Sequence, residues 1–211
     1  YTINGTVRSA VYHMAQNLMA ELMAQEGCFL SKIAYRKKDS SCKNTLCVAD
    51  FDGSGKETLV QSSRIVVAPQ WNRDVYCPML LCSEFREKNV CLVAFDMHGR
   101  KRAMLDIDGT TVGVSYSSTE SRLHQVVYCH SGSLWRYSYD KNRNKGVHTL
   151  IVKESAPCAS PNLADSGNVF YCCQGKIKEY HADTKKTTTL IAEGYCVGPS
   201  YNQKNNSIVY T

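Results

Sequence analysis

The chain has 211 residues, 43% of them hydrophobic and 21% charged, the balance of a folded globular protein and not of a disordered one. Twenty-five Lys and Arg against 19 Asp and Glu leave a formal charge of +6, mild and scattered, which argues against nucleic acid as a partner. The tightest basic run, Tyr35-Arg36-Lys37-Lys38, reads as a solvated strand end, and no run approaches the roughly 18 apolar residues that span a bilayer, so no direct membrane insertion is expected.

In chain order, the first element is a helix. Ala10, Val11, Met14, Leu18, Leu22 and Met23 recur at helical spacing between positions 7 and 25, and Gly27 supplies a stop. After it the period changes, and short β-rich runs return every 38 to 47 residues or so. One run reads Lys32-Ile33-Ala34-Tyr35, Pro78-Met79-Leu80-Leu81, Gln125-Val126-Val127-Tyr128, Asn168-Val169-Phe170-Tyr171 and Ser207-Ile208-Val209-Tyr210. A second follows it at 46–49, 92–95, 135–138 and 177–180, and a third at 57–60, 103–105, 148–151 and 188–191. A fourth leads into the next unit through Pro69-Gln70-Trp71, Val114-Ser115-Tyr116, Pro161-Asn162-Leu163 and Pro199-Ser200-Tyr201. Four short strands at this period predict a mainly β chain built of propeller blades, because one blade cannot bury both of its faces and stacked neighbours can.

The stretch Asp50-Phe51-Asp52-Gly53 could open a calcium loop, since hard cations take carboxylates around a tight turn. The repeat answers the question. The stretch falls on Asp96-Met97-His98-Gly99, Asp140-Lys141-Asn142-Arg143 and Asp183-Thr184-Lys185-Lys186, where the second carboxylate becomes His, Asn and Lys. A lysine among the ligands would repel the ion, whereas a turn needs only an Asp acceptor and a residue free to take positive φ. A hairpin turn is therefore expected, with no metal and no cofactor.

Eleven cysteines, an odd number, contain no C-x-x-C, and the Cys42/Cys47 and Cys77/Cys82 pairs lack matching histidines for zinc. Several lie in apolar runs as small hydrophobes; disulfides stay open should the compartment be oxidising. Cys172-Cys173 lies in a strand, one side chain to each face.

The helix and its exit, from Val7-Arg8-Ser9-Ala10-Val11-Tyr12-His13-Met14-Ala15 to Glu26-Gly27-Cys28-Phe29-Leu30-Ser31-Lys32-Ile33-Ala34-Tyr35, together with the strand and turn from Leu46 to Gly53, resemble the TolB family of periplasmic propeller proteins of the Tol–Pal envelope system. The resemblance covers nearly the whole chain, and its more specific part is the junction of helix and first blade. The family's Ser-Pro-Asp-Gly turn before the Ile-Ala-Tyr strand is replaced here by Asn72-Arg73-Asp74, Ser117-Ser118-Thr119, Asp165-Ser166-Gly167 and Gln203-Lys204-Asn205. The resemblance implies that residues 1–30 are the C-terminal end of an α/β N-terminal domain and 31–211 a β-propeller of four-stranded TolB-type blades. An incomplete ring of about four to five blades, a fragment of a longer chain, is expected.

No catalytic set stands out. Gly113-Val114-Ser115-Tyr116-Ser117 fails the G-x-S-x-G pattern at its last position, and the six histidines occupy helix, turn and strand-end positions. His13 reads as a packing residue between helix and blade. A non-enzymatic binding function is expected, on the face where two sets of loops meet: 61–64, 106–110, 153–155 and 193–195 with 36–38, 84–88, 130–132 and 174–176. Arg36, Arg64, Glu84, Asp108 and His130 are the candidate partner-binding residues there.

By resemblance the chain is a periplasmic protein–protein scaffold of the Tol–Pal system, serving envelope integrity, cell division and protein import. Its partner would be a Pal-like, peptidoglycan-associated lipoprotein with other Tol components. The rival expectation is the gating propeller of a prolyl-oligopeptidase-like α/β-hydrolase whose catalytic domain lies outside this chain.

Overall fold

The computed structural model describes residues 6–24, 27–38, 44–71, 78–108, 111–117, 125–140, 145–202 and 205–211. The one helix among them, α1 (Val7–Met23), starts where the Thr6 hydroxyl accepts a hydrogen bond from the Ser9 N–H at 3.4 Å. It ends at Ala24, in the left-handed conformation with φ 50°, ahead of the predicted stop at Gly27. Its apolar positions Val11, Met14, Leu18 and Leu22 are all exposed. No helix among the described residues is long and apolar enough to cross a membrane.

Antiparallel strands follow in packets. The first sheet holds β1 (Lys32–Lys38), β2 (Asn44–Asp50) and β3 (Glu57–Ser62). The second runs in order through β4 (Ile65–Trp71), β5 (Met79–Phe85), β6 (Asn89–Asp96) and β7 (Lys101–Asp108). The third holds β8 (Thr111–Ser117), β9 (Gln125–His130), β10 (Ser133–Asp140) and β11 (Lys145–Val152). The fourth holds β12 (Cys158–Leu163), β13 (Val169–Cys173), β14 (Lys176–Tyr180) and β15 (Thr187–Ile191). A pair, β16 (Ser200–Asn202) and β17 (Ser207–Val209), comes last.

Each of the first four sheets is a meander whose middle strands are more buried than its outer edge. Six consecutive residues of β2, and six of β6, are buried because a middle strand is covered on both faces, and in β6 they form a continuous apolar run from Val90 to Phe95. The outer β15 is Thr-rich and mostly exposed. Strand alternation then sends neighbouring side chains into different cores. Leu80 and Cys82 join Leu46, Val48 and Val66 between the first and second sheets, while Leu81 joins Val126 and Tyr128 between the second and third. Cys173 faces Val127 and Leu134 between the third and fourth sheets; Cys172 faces Ile177 and Cys196 on the other side. The opposite orientation expected of Cys172-Cys173 is what the sheet imposes. Among the described residues, separate cores between successive sheets replace the single core of an ordinary sandwich.

The repeated Asp turns close β2–β3 and β6–β7 alike. The Asp50 N–H bonds the Ser54 carbonyl at 2.9 Å and the Asp96 N–H bonds that of Arg100 at 3.0 Å. Gly53 and Gly99 sit at φ 78° and 73°, and at Gly99 a Cβ would collide with the Leu59 carbonyl oxygen of the preceding sheet. The turn after Asp140 lies outside the described residues. The fourth turn departs from the predicted register: its closing bond is His181 N–H to Lys186 carbonyl, so His181 holds the position of Asp50 and Asp96, and Asp183 is inside the turn.

β4 and β12, which each begin a new sheet, are bulged where the sequence shows its repeated Pro. Ala68 and Ser160, each just before proline, have φ of 52° and 50° beside register shifts against β5 and β13; Gly198 before Pro199 has φ 62°. Only Gly takes this conformation without steric cost. Ala68→Gly and Ser160→Gly should each raise stability by about 0.5–1 kcal/mol in urea denaturation, and a loss at both sites would contradict the left-handed assignment.

Candidate functional site

The meander places alternate connections at one end of the sheets, and all five sequence-predicted residues lie there: Arg36 near the end of β1, Arg64 between β3 and β4, Glu84 near the end of β5, Asp108 closing β7 and His130 closing β9. Two of them touch. The Arg64 Nη1 donates to Glu84 Oε1 at 2.9 Å, joined by Arg86 Nε at 3.1 Å, while Lys101 Nζ reaches Oε2 at 3.2 Å.

Glu84 is 4% exposed, so it is not the surface charge that its position in a loop-end segment suggested. Burial pushes its carboxyl up, but the hydrogen bonds from Arg64, Arg86 and Lys101 outweigh this and hold it below the usual carboxylate range. What it contributes to the surface is the placement of two arginines. They flank a cleft of about 670 Å³ with Ile65, Phe85, Lys88 and Asn89, apolar and cationic side chains together on its rim. Glu87 is the acidic group on that rim. Arg86 was not among the predicted site residues. The signal for it was available: period-2 alternation from Leu80 and Cys82 puts Glu84 on the core face, and a carboxylate there requires cations within reach.

The other three do not join this cluster. Arg36 is exposed on β1. The side chain of Asp108 lies outside the described residues. His130 is a sheet away, with its ring edge-on to Trp135 at 6.3 Å and Nε2 3.2 Å from the Ser131 hydroxyl. Its Nδ1 is buried without a hydrogen-bond partner.

A second cleft, of about 510 Å³, opens at the opposite end between α1 and the first sheet, lined by Arg8, Tyr12, His13, Lys32, Asp50 and Glu57. Here Tyr12 makes the contact expected of His13. Its hydroxyl donates to Asp52 Oδ2 at 2.8 Å and its ring meets Phe51 edge-on at 5.1 Å, whereas His13 is exposed. The carboxylates of the Asp turn are occupied by protein donors: Asp50 by Lys32, Asp52 by the side chain and N–H of Ser54. Those bonds from Ser54, with that of Tyr12, hold the Asp52 carboxyl down at about 2. The turn works as a hairpin and as the seat of the helix. No group of three or more His, Cys, Asp or Glu among the described residues is arranged to hold a metal ion.

No family model and no curated protein matches the sequence. Solved structures do match the fold. TolB from Acinetobacter baumannii aligns with 95% of this chain and 63% of its own, at 15% identity and a TM-score of 0.51. The β-propeller domain of the Trilobed protease from Pyrococcus furiosus aligns with 85% of this chain and 71% of its own, at 11% identity and 0.50. A gluconolactonase from Xanthomonas campestris aligns with 83% and 67%, at 11% identity and 0.56. The fold is thus that of a β-propeller, and this chain spans less than two thirds of the length of the TolB structure.

Proposed function

We propose that this chain is a non-enzymatic protein-binding propeller of the cell envelope, a TolB-like periplasmic component of a Tol–Pal system. The observation that carries the binding role is the cleft lined by Arg64 and Arg86, both bonded to Glu84, together with Ile65 and Phe85. Fixed guanidinium groups beside exposed apolar surface suit a protein partner that offers a carboxylate next to an apolar side chain. The TolB assignment is supported by extent: its alignment takes in 95% of the chain, against 83–85% for the protease propeller and the gluconolactonase. Residues 1–30 are then the tail of an α/β domain, which would give the exposed apolar positions of α1 something to pack against.

The partner proposed is a peptidoglycan-associated lipoprotein. Titrating its soluble domain from the same organism should give saturable binding that weakens with salt, as the exposed Arg64 requires. Arg64→Glu with Arg86→Glu should lower the affinity by about tenfold or more, since rim charge reversal costs on the order of 1.4 kcal/mol or above. Absence of binding at high micromolar concentration would sink the partner. Undiminished binding by the double variant would sink the site. The likeness to the protease propeller supports the peptidase reading, which a downstream G-x-S-x-G domain in the full gene would favour instead.

A further inference from the structure

Cys158 and Cys173 are direct partners across β12 and β13, and both side chains enter the core between the third and fourth sheets. The Cys158 N–H bonds the Gly132 carbonyl of the third sheet at 2.9 Å, so its backbone groups turn away from β13. On the other strand, Cys173 pairs with Lys176 across the two-residue turn Gln174-Gly175, whose φ values of 54° and 70° mark a tight hairpin. Cys158 and Cys173 therefore form a non-hydrogen-bonded antiparallel pair, the kind in which Cα atoms approach to about 4.5 Å and side chains lie closest. That spacing falls inside the range a disulfide requires, about 4.4–6.8 Å.

The other cysteines nearby are placed differently. Cys172, adjacent in sequence, points through the opposite face, where its thiol donates to the Cys196 carbonyl at 3.0 Å. Cys129 shares the core of the pair but comes from β9, in another sheet. Of these three thiols, only Cys158 lies directly across the ladder from Cys173.

We propose that Cys158 and Cys173 are a redox pair that closes to a cross-strand disulfide when the chain folds in the presence of a disulfide oxidant. One cysteine, as thiolate, attacks the oxidant's disulfide to give a mixed disulfide and release one oxidant thiolate. The second then displaces the other half, closing the protein disulfide. The two protein thiols give up two electrons and two protons, and the oxidant leaves as two thiols. Cys158 and Cys173 are 4% and 2% exposed, and burial pushes the Cys158 thiol up to about 12, so exchange is slow once the core has formed. Closure belongs to folding, and the finished bond is shielded from reductant. This inference stands on the strand pairing and not on the partner proposed above.

The test is differential alkylation of the whole chain. Reduced, unfolded protein is refolded in a buffer of oxidised and reduced glutathione and quenched in acid. Free thiols are blocked with a light reagent, and thiols released by later reduction with a heavy one. Trypsin leaves Cys158, Cys172 and Cys173 on one peptide, residues 154–176, where fragmentation separates them. The expected result is heavy label at Cys158 and Cys173 in equal share, about tenfold above Cys172 and Cys129. Light label at both positions across the whole glutathione range overturns the proposal, as does heavy label shared between Cys158 and Cys129. Cys158→Ser should leave Cys173 light, and Cys172→Ser should change neither; heavy Cys173 in the Cys158→Ser protein means a different partner and overturns the pair.

Discussion

Glu84→Ala is expected to cost about 2–3 kcal/mol of stability, a large share of the 5–15 kcal/mol typical of a folded domain. The carboxylate is buried and accepts from three cations, at 2.9, 3.1 and 3.2 Å. Breaking a fully buried pair commonly costs 3–5 kcal/mol, because one charge is left uncompensated. Here Arg64 and Lys101 are 52% and 39% exposed and can recover water, which places the cost at the low end. Arg64→Ala should cost less, about 1 kcal/mol, since Arg86 and Lys101 still serve the carboxylate. The pH dependence adds an independent check. The Glu84 carboxyl is held below its ordinary value in the fold, so its contribution is present above the unfolded carboxylate range and lost as pH falls through the lowered value. Urea midpoints for wild type and Glu84→Gln should therefore lie furthest apart near neutrality and converge in acid. A gap that stayed constant down to strongly acidic pH would show that the charge is not what matters. The variants link structure to the proposed role as well: with Glu84 gone, Arg64 and Arg86 lose their common anchor, and the cleft loses its fixed rim.

Much of the architecture could be read because the middle strands carry it. Met79-Leu80-Leu81-Cys82 and Val169-Phe170-Tyr171-Cys172-Cys173 are continuous apolar runs, and the return of such runs every 38 to 47 residues or so gives the sheets directly. The weak points were those where residue identity and backbone register separate. Asp183 was aligned with Asp50 because it is an aspartate, yet Tyr180 pairs with Thr187, so the turn starts at His181 and is one residue longer than the first two. The bulges at Ala68 and Ser160 gave no warning beyond the repeated proline, since neither residue favours positive φ. At the site, loop position and the core-facing side of Glu84 were legible, and the partners of its carboxylate were not. Glu84 reads as a partner-binding residue of the loop face because its cations come from three separate segments, the β3–β4 connection, the β5–β6 loop and β7, which only the folded sheets bring together. His13 and Tyr12 are neighbours on one helix, and choosing between them needed the helix's rotation against the first sheet. That rotation is fixed by Asp52 and Phe51, not by anything within the helix.

Tyr171→Ala should be the most damaging single change, at about 3–5 kcal/mol. Tyr171 is fully buried on β13, packed with Val127, Leu134, Leu163 and Val169 in the core between the third and fourth sheets. Its hydroxyl donates to Glu154 Oε1 at 2.7 Å, the same oxygen that accepts from Lys178 Nζ at 2.9 Å. Truncation thus opens a ring-sized cavity and removes one donor from a carboxylate that keeps another. Tyr171→Phe separates the two effects. It retains the ring and should cost about 1 kcal/mol, the net worth of one hydrogen bond to a charged acceptor that still holds Lys178. The burial that excludes water from the hydroxyl also raises its ionisation above the tyrosine range. Stacked sheets share cores only with their neighbours, and a cavity in one core weakens the joint between two sheets more than either sheet itself. Urea unfolding of Tyr171→Ala should therefore lose cooperativity, with a lower m-value and a second transition, while Tyr171→Phe unfolds in one step. A single transition of unchanged slope in Tyr171→Ala, shifted only in its midpoint, would show that the sheets unfold as one body in spite of their separate cores.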